Sequence, residues 1–317
     1  MQMLLYNTQI IQEDKKDNIV KHNVSEVFGP TIQGEGVRTG VMSVWVRYWG
    51  CNLNCNGFGQ KEPTKPETYV LPYNTLNLIN VKVLEDLPVF EYGCDSSYSW
   101  SKKYRHLAKA YQTEELADKL YSLLPGGKFK HPVTDQTYDL CLTGGETMMQ
   151  QKQIVELISY MIEQDNFPYD IQIETNGTRP MSQELAEFIQ KTTAGVENGK
   201  INWHFSISPK LWNVAGEKDE DAWKPEVIKR YFEVNPAGWL KFVVNNREET
   251  WEELNCKTTT LREIDVKYPV YVMPVGSTKN AQEDSAVISA IANRAIKEGY
   301  HISGRLHCTI WGNTVGV

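Results

Sequence analysis

From Tyr138 onward the chain alternates short apolar runs with amphipathic stretches, and each apolar run ends in a polar or glycine-bearing turn. YDLCL (138–142) reads as a strand ending in TGGE, followed by an amphipathic helix over Gln151–Glu163. DIQIE (170–174) is a strand ending in TNGT, and Ser182 opens the helix QELAEFIQ. INWHFSIS (201–208) runs into SPK, and WLKFVV (239–244) and VYVMPV (270–275) are further strands. Ala281–Lys297 reads as a helix, with Val287, Ile288, Ile291, Ala295 and Ile296 apolar and Gly299 as its stop. Strands alternating with helices of this length predict an α/β fold with a parallel sheet, open or rolled into a barrel. Ligands of such sheets sit beyond the C-terminal strand ends, where the unusual residues of this chain collect.

Upstream, SVWVRYW (43–49) alternates and is rich in β-branched and aromatic residues, which predicts a strand ending at Gly50. Residues 58–93 hold four prolines and no period, so they read as a loop insertion, with room for short strands. Thr113 is expected to cap the helix TEELADKLYSLL, which PGG stops. Residues 1–24 read as an N-terminal extension and 25–317 as a single core domain.

Composition narrows the function. Lys plus Arg is 33 against 40 for Asp plus Glu, a net charge of −7, which argues against a protein built to grip nucleic-acid phosphates. The basic stretch Ser101–Lys109 reads as a solvated face, and no direct nucleic-acid contact is expected. No apolar run reaches the roughly 18 residues of a membrane helix, and the N-terminus lacks the pattern of a secretory signal. A cytoplasmic protein without a membrane partner is therefore expected.

Six cysteines in such a chain read better as metal or redox ligands than as disulfides. Cys51 and Cys55 stand in a loop straight after a strand and can converge on one metal. Structural zinc wants four close ligands, and this pair has no second close pair. An iron–sulfur cluster held by three thiolates is the other reading, with Cys94 as candidate third ligand after 38 intervening residues. Cys141 lies inside an apolar strand, and with Cys256 and Cys308 it reads as an ordinary small hydrophobe.

Taken in order, these motifs resemble the radical S-adenosylmethionine (SAM) superfamily, and within it the 7-carboxy-7-deazaguanine synthases. SEVFGPTIQGEGVRTG resembles the family's N-terminal substrate segment and VWVRYWGCNLNC its first cluster strand. CDSSYSW, LTGGETMMQ, IETNGT, ISPKL, LKFVV, VMPVG and GRLHCTIWGNTVGV follow in the family's order, so the likeness spans about Ser25 to Val317. The chain departs from the usual Cys-x3-Cys-x2-Cys spacing, carries Thr147 where proline is common, and has Ser96 in place of the usual Thr.

The resemblance implies an incomplete (βα) barrel and a set of roles. Cys51, Cys55 and Cys94 would be catalytic ligands of a 4Fe-4S cluster whose open iron chelates SAM, the source of a 5′-deoxyadenosyl radical. Gly145, Ser208, Pro209, Lys210, Met273 and Pro274 would contact SAM, and Ser96 would bind Mg2+. Ile32, Gln33, Gly34, Arg47, Thr143 and His307 would hold the substrate, 6-carboxy-5,6,7,8-tetrahydropterin, with the Arg47 fork on its carboxylate. The implied reaction is ring contraction to 7-carboxy-7-deazaguanine with loss of ammonia, feeding a tRNA or DNA modification of the queuosine type. A reductant such as flavodoxin or ferredoxin and a homodimeric state complete the expectation. Two other readings stand beside it: a radical SAM activase that makes a glycyl radical on a partner protein, and a non-catalytic zinc module.

Overall fold

The computed structural model describes residues 20–312 and 314–316. Period-two alternation along its strands separates two kinds of surface. Val44 and Val46, Leu140 and Leu142, Ile171 and Ile173, Phe205 and Ile207, Leu240 and Phe242 form one buried apolar layer. The residues between them face the other way and include Arg47, Thr143, Glu174, Ser206 and Lys241. Helices cover the first face, and the second is left for chemistry.

The strands are β1 (Lys21–Ile32), β2 (Met42–Tyr48), β3 (Lys109–Gln112), β4 (Asp139–Gly144) and β5 (Asp170–Thr175), then β6 (Asn202–Ile207), β7 (Gly238–Val244), β8 (Val270–Pro274) and β9 (His301–Ile302). Among the described residues they form one sheet in the order β3-β1-β2-β4-β5-β6-β7-β8-β9. β1 runs antiparallel to β2 and β3, while every pairing from β2 to β9 is parallel. Helix α1 (Thr113–Leu123) precedes β4, and α2 (Gln151–Glu163), α3 (Gln183–Ala194), α4 (Pro225–Val234), α5 (Glu248–Glu263) and α6 (Ser285–Glu298) fill the successive crossovers. A last helix, α7 (Leu306–Trp311), follows β9. The helices meet the sheet through Leu116, Ile154, Leu157, Leu185, Ile228, Trp251 and Ile291, all buried. Each such side chain contributes about 1.5–3 kcal/mol of burial. Two of the three large buried indoles have their donors satisfied: Trp203 Nε1 donates to Thr192 Oγ1 at 2.9 Å and Trp251 Nε1 to the Asn245 carbonyl at 3.0 Å, while Trp239 Nε1 makes no hydrogen bond among the described residues.

Several boundaries differ from the sequence reading. β1 begins at Lys21, so the segment 21–24, read as extension, is strand paired with Lys109–Gln112; residues 1–19 lie outside the described residues. Residues 58–93 contain short helical turns and no strand among the described residues. They fold around a core of their own, in which Tyr73, Val81, Leu84, Leu87 and Phe90 pack with Tyr98 and Tyr104. The insertion closes on itself where the Gly93 amide donates to the Phe58 carbonyl at 2.8 Å. Gln112, not Thr113, caps α1: its amide donates to Glu115, leaving the Thr113 hydroxyl to bond His22. The helix expected over 281–297 is broken, because Asp284 caps a new helix by accepting from the amides of Ala286 and Val287. Val287 and Ile296 are exposed there rather than buried.

His22 ties β1 to its neighbours, with Nε2 3.0 Å from Thr113 Oγ1 and no exposed surface. Burial pushes its pKa down to about 4. The unfolded chain therefore binds a proton near pH 6.5 that the folded chain refuses, so this contribution is whole above pH 6.5 and lost as pH falls toward 4. The shift corresponds to about 3 kcal/mol. Urea denaturation at pH 7 and pH 4.5 should show wild type losing more stability than His22→Gln; equal losses would place the acid sensitivity elsewhere.

Candidate active site

The C-terminal strand ends surround a cavity of about 300 Å³, the lower end of the range for small-molecule sites. Strand register brings its walls together: Arg47 pairs with Thr143, Glu174 with Ser206 and Val243 with Met273 across adjacent strands. Ile32, Gln33, Gly34, Arg47, Cys51, Cys55, Cys94, Ser96, Thr143, Gly145, Ser208, Lys210, Met273, Pro274 and His307 all line it. Pro209 is buried and does not.

One wall carries the thiols. Cys51, Cys55 and Cys94 are unpaired, and all three face the cavity. Cys55 adopts a left-handed backbone (φ 51°), and the Glu217 carboxylate accepts from the amides of Asn54 and Cys55, which fixes the loop. Gly145 fits beneath because it lacks a side chain: a Cβ there would lie 2.3 Å from the Gly50 carbonyl and 2.7 Å from Cys51 Cβ. Burial pushes the Cys51 thiol up to about 12 and raises Cys55 and Cys94 as well, with Lys210 opposing it at Cys51 and Cys55. Three thiols, one buried and two half-buried, that are disfavoured as anions suit a cationic centre, which deprotonates its thiol ligands outright. Among the described residues no three His, Cys, Asp or Glu side chains are grouped closely enough to hold a single metal ion, while the three thiols line the same cavity. Cys141 and Cys256 stand apart from it, whereas Cys308 reaches the cavity beside His307.

The opposite wall is charged. Glu35 takes hydrogen bonds from Lys241 and from Arg305 Nε (2.9 Å). Burial alone would raise its pKa, yet these two cations hold it well below the usual carboxylate range. Glu174 accepts from Thr143 Oγ1 at 3.0 Å and from Gln33 Nε2 at 3.3 Å. Arg47 is deeply placed: Nε donates to Glu26 at 3.0 Å, and the guanidinium lies 5.6 Å from the ring centres of both Phe28 and Tyr98. Its two terminal nitrogens make no hydrogen bond among the described residues, and a planar fork of that kind matches a carboxylate. His307 presents Nδ1 to Gly34, where a Cβ would meet that atom at 2.0 Å. Burial lowers the His307 pKa, keeping a neutral imidazole at the wall. Ser96 Oγ lies 3.4 Å from Asp95 Oδ1, and Asp95 is bound in turn by Arg305.

Glu35, Glu174, Lys241 and Arg305 were not singled out by the sequence reading. Lys241 and Glu174 had a signal, since each is a charge set among apolar residues on a strand's alternate face. Arg305 and Glu35 had none, because their pairing joins segments 270 residues apart.

A parallel α/β sheet whose strand ends enclose three unpaired thiols and a charged, deeply buried recognition wall is the arrangement of a cofactor-dependent enzyme. The chain is 24% identical to a protein named 7-carboxy-7-deazaguanine synthase from Pyrobaculum aerophilum, over 92% of this chain and 96% of that one. It is 26% identical to a protein of the same name from Hyperthermus butylicus, over 90% and 92%. The crystal structure of QueE from Escherichia coli shares the fold, with a TM-score of 0.51 at 19% identity over 90% of this chain and 95% of that one. No family model matches the chain.

Replacing Cys51, Cys55 or Cys94 by Ala should remove most bound iron after anaerobic reconstitution, while Cys141→Ala, Cys256→Ala and Cys308→Ala keep it. Gly145→Ala should behave like the first group with an unchanged far-ultraviolet spectrum, because its Cβ displaces the Gly50–Cys51 backbone. Full iron in Cys94→Ala would refute the ligand set.

Proposed function

We propose that this chain is a radical SAM enzyme that converts 6-carboxy-5,6,7,8-tetrahydropterin to 7-carboxy-7-deazaguanine with release of ammonia. The observation that carries the reading is one cavity lined on one side by three free thiols and on the other by Gln33, Glu35, Arg47, Thr143 and His307. The relatives named 7-carboxy-7-deazaguanine synthase support it along nine-tenths of the chain. Their activity fits a wall that offers both a cationic fork and several amide and carboxylate partners to a flat polar heterocycle. An activase of a partner polypeptide has no use for such a wall.

In this reading Cys51, Cys55 and Cys94 hold a 4Fe-4S cluster, Gly145, Ser208, Pro209, Lys210, Met273 and Pro274 hold SAM, and Ser96 holds Mg2+. When bound, the cluster and SAM supply the one-electron chemistry that starts the reaction. The protein's own groups orient the substrate. Arg47 takes the carboxylate through its free terminal nitrogens, while Glu26 neutralises Nε and Phe28 and Tyr98 cover the guanidinium from water. Gln33 and Thr143, already aligned by Glu174, present their remaining hydrogen-bonding capacity to the ring edge. The neutral His307 can accept or donate without adding charge.

The reading includes an incomplete barrel. Sequential parallel strands joined by right-handed crossovers put all their helices on one face, and such a sheet curls around its other face. The free edges at β3 and β9 fit a barrel left open. A protein reductant such as flavodoxin or ferredoxin, a homodimer and a cytoplasmic location belong to the same reading. Among the described residues, no helix is long and apolar enough to cross a membrane.

Anaerobic protein incubated with SAM, dithionite, Mg2+ and the carboxypterin should yield 7-carboxy-7-deazaguanine by mass spectrometry; SAM cleavage with the pterin returned intact would sink the substrate assignment. Arg47→Lys keeps a cation for Glu26 but loses the fork. A charge-assisted contact is worth about 1.5–3 kcal/mol, so kcat/KM for the carboxypterin should fall roughly 10- to 150-fold. A pterin lacking the carboxylate should bind both forms equally weakly; an equal loss for both ligands would mean Arg47 serves the fold. Ser96→Ala should raise the Mg2+ concentration needed for half-maximal turnover and leave iron content unchanged, and an unshifted Mg2+ titration would remove Ser96 from the site.

A further inference from the structure

Cys94 is separated from Cys55 by 38 intervening residues, so chain connectivity does little to set where its thiol points. Two backbone contacts hold the base of its turn: Gly93 N to the Phe58 carbonyl and Gly50 N to the Ser99 carbonyl, each 2.8 Å. The tip of the turn is held by a side chain from the other end of the protein. Arg305, just before α7, donates from NH2 to Asp95 Oδ2 at 2.5 Å, from Nε to Glu35 Oε1 at 2.9 Å, and from NH1 to the Gly276 carbonyl at 3.3 Å. All three guanidinium nitrogens are therefore spent on three separate segments: the Cys94 turn, the Gln33–Glu35 wall and the loop after β8. Glu35 is fastened again from β7 by Lys241. The result is a chain of alternating charge, Lys241–Glu35–Arg305–Asp95, which begins on a rigid strand and ends one residue from a thiol.

We propose that Arg305 is a positioning residue that fixes the third thiol relative to the substrate wall. Its carboxylate partners flank the two halves of the cavity, so one cation sets the distance between them. It occupies Asp95 Oδ2, which leaves Oδ1 toward the neighbouring Ser96 hydroxyl, 3.4 Å away, with both residues on the cavity wall. The role for iron rests on the reading above; the role in holding Cys94 does not.

The test uses the full-length chain in two states. In metal-free, reduced protein, the alkylation rate of each cysteine by iodoacetamide is followed by peptide mass spectrometry. Charge-assisted bonds are the stronger class of hydrogen bond, so losing the Asp95 contact should speed Cys94 alkylation roughly tenfold or more. Arg305→Gln should do this with Cys51 and Cys55 unchanged. Asp95→Asn should match it, and the double variant should add nothing further, because both single changes break one contact. Arg305→Lys should be intermediate, since one ammonium cannot serve Asp95, Glu35 and Gly276 at once. In reconstituted protein, the order of iron loss to a chelator should follow the same ranking. An unchanged Cys94 rate in Arg305→Gln, acceleration of all three thiols together, or additive single effects would each overturn the proposal. So would a variant that loses only affinity for the carboxypterin, because Arg305 would then be reading substrate. Should the wild type take up no iron at all, the functional reading fails while the alkylation result still decides this one.

Discussion

A carboxylate buried between two cations organises this molecule's site. Glu35, held by Lys241 and Arg305, sits where water cannot screen it, and each partner would be costly to bury alone. Removing any member strands a charge, so the three segments that bring them must come together or not at all. The inner face of the sheet tolerates such charge only because the opposite face is so thoroughly apolar. Burial of Ile171, Phe205, Phe242 and their neighbours against the helices supplies the stability against which the polar face is held.

The two walls differ in kind. The charged wall is satisfied as it stands, each carboxylate having donors and each cation acceptors, apart from the outer nitrogens of Arg47. The thiol wall is not, since burial and mutual repulsion keep all three sulfurs protonated. A site pre-organised on one side and dependent on a cationic guest on the other fits an enzyme that recognises its substrate with protein groups and delegates the reaction to cofactors.

The parallel rhythm after Tyr138 was legible because long strands and helices carry strong periods, and five of its strands fall where the alternation places them. The Cys51–Cys55 loop and the glycines after β4 were legible because few residues suit those positions. What escaped has physical reasons. β1 was missed because its apolar positions are diluted by His22, Asn23, Glu26 and Pro30, and its partners lie across the sheet. α5 was missed because its buried face mixes Thr250 and Lys257 with Trp251 and Leu254. The Glu35–Arg305 pair joins positions far apart in the chain, and no local pattern records such a meeting.

The closed neck of the insertion has a consequence for how such proteins are found. Because Phe58 and Gly93 meet backbone to backbone, the path between the second and third thiols leaves the site and returns to the same place. The entropic cost of such an excursion grows only with the logarithm of its length, about 0.6 kcal/mol per doubling. Selection on the site is thus blind to how many residues hang from that neck, provided they can pack a small core of their own. A fixed-interval cysteine pattern measures the one distance along the chain that this architecture leaves free to drift.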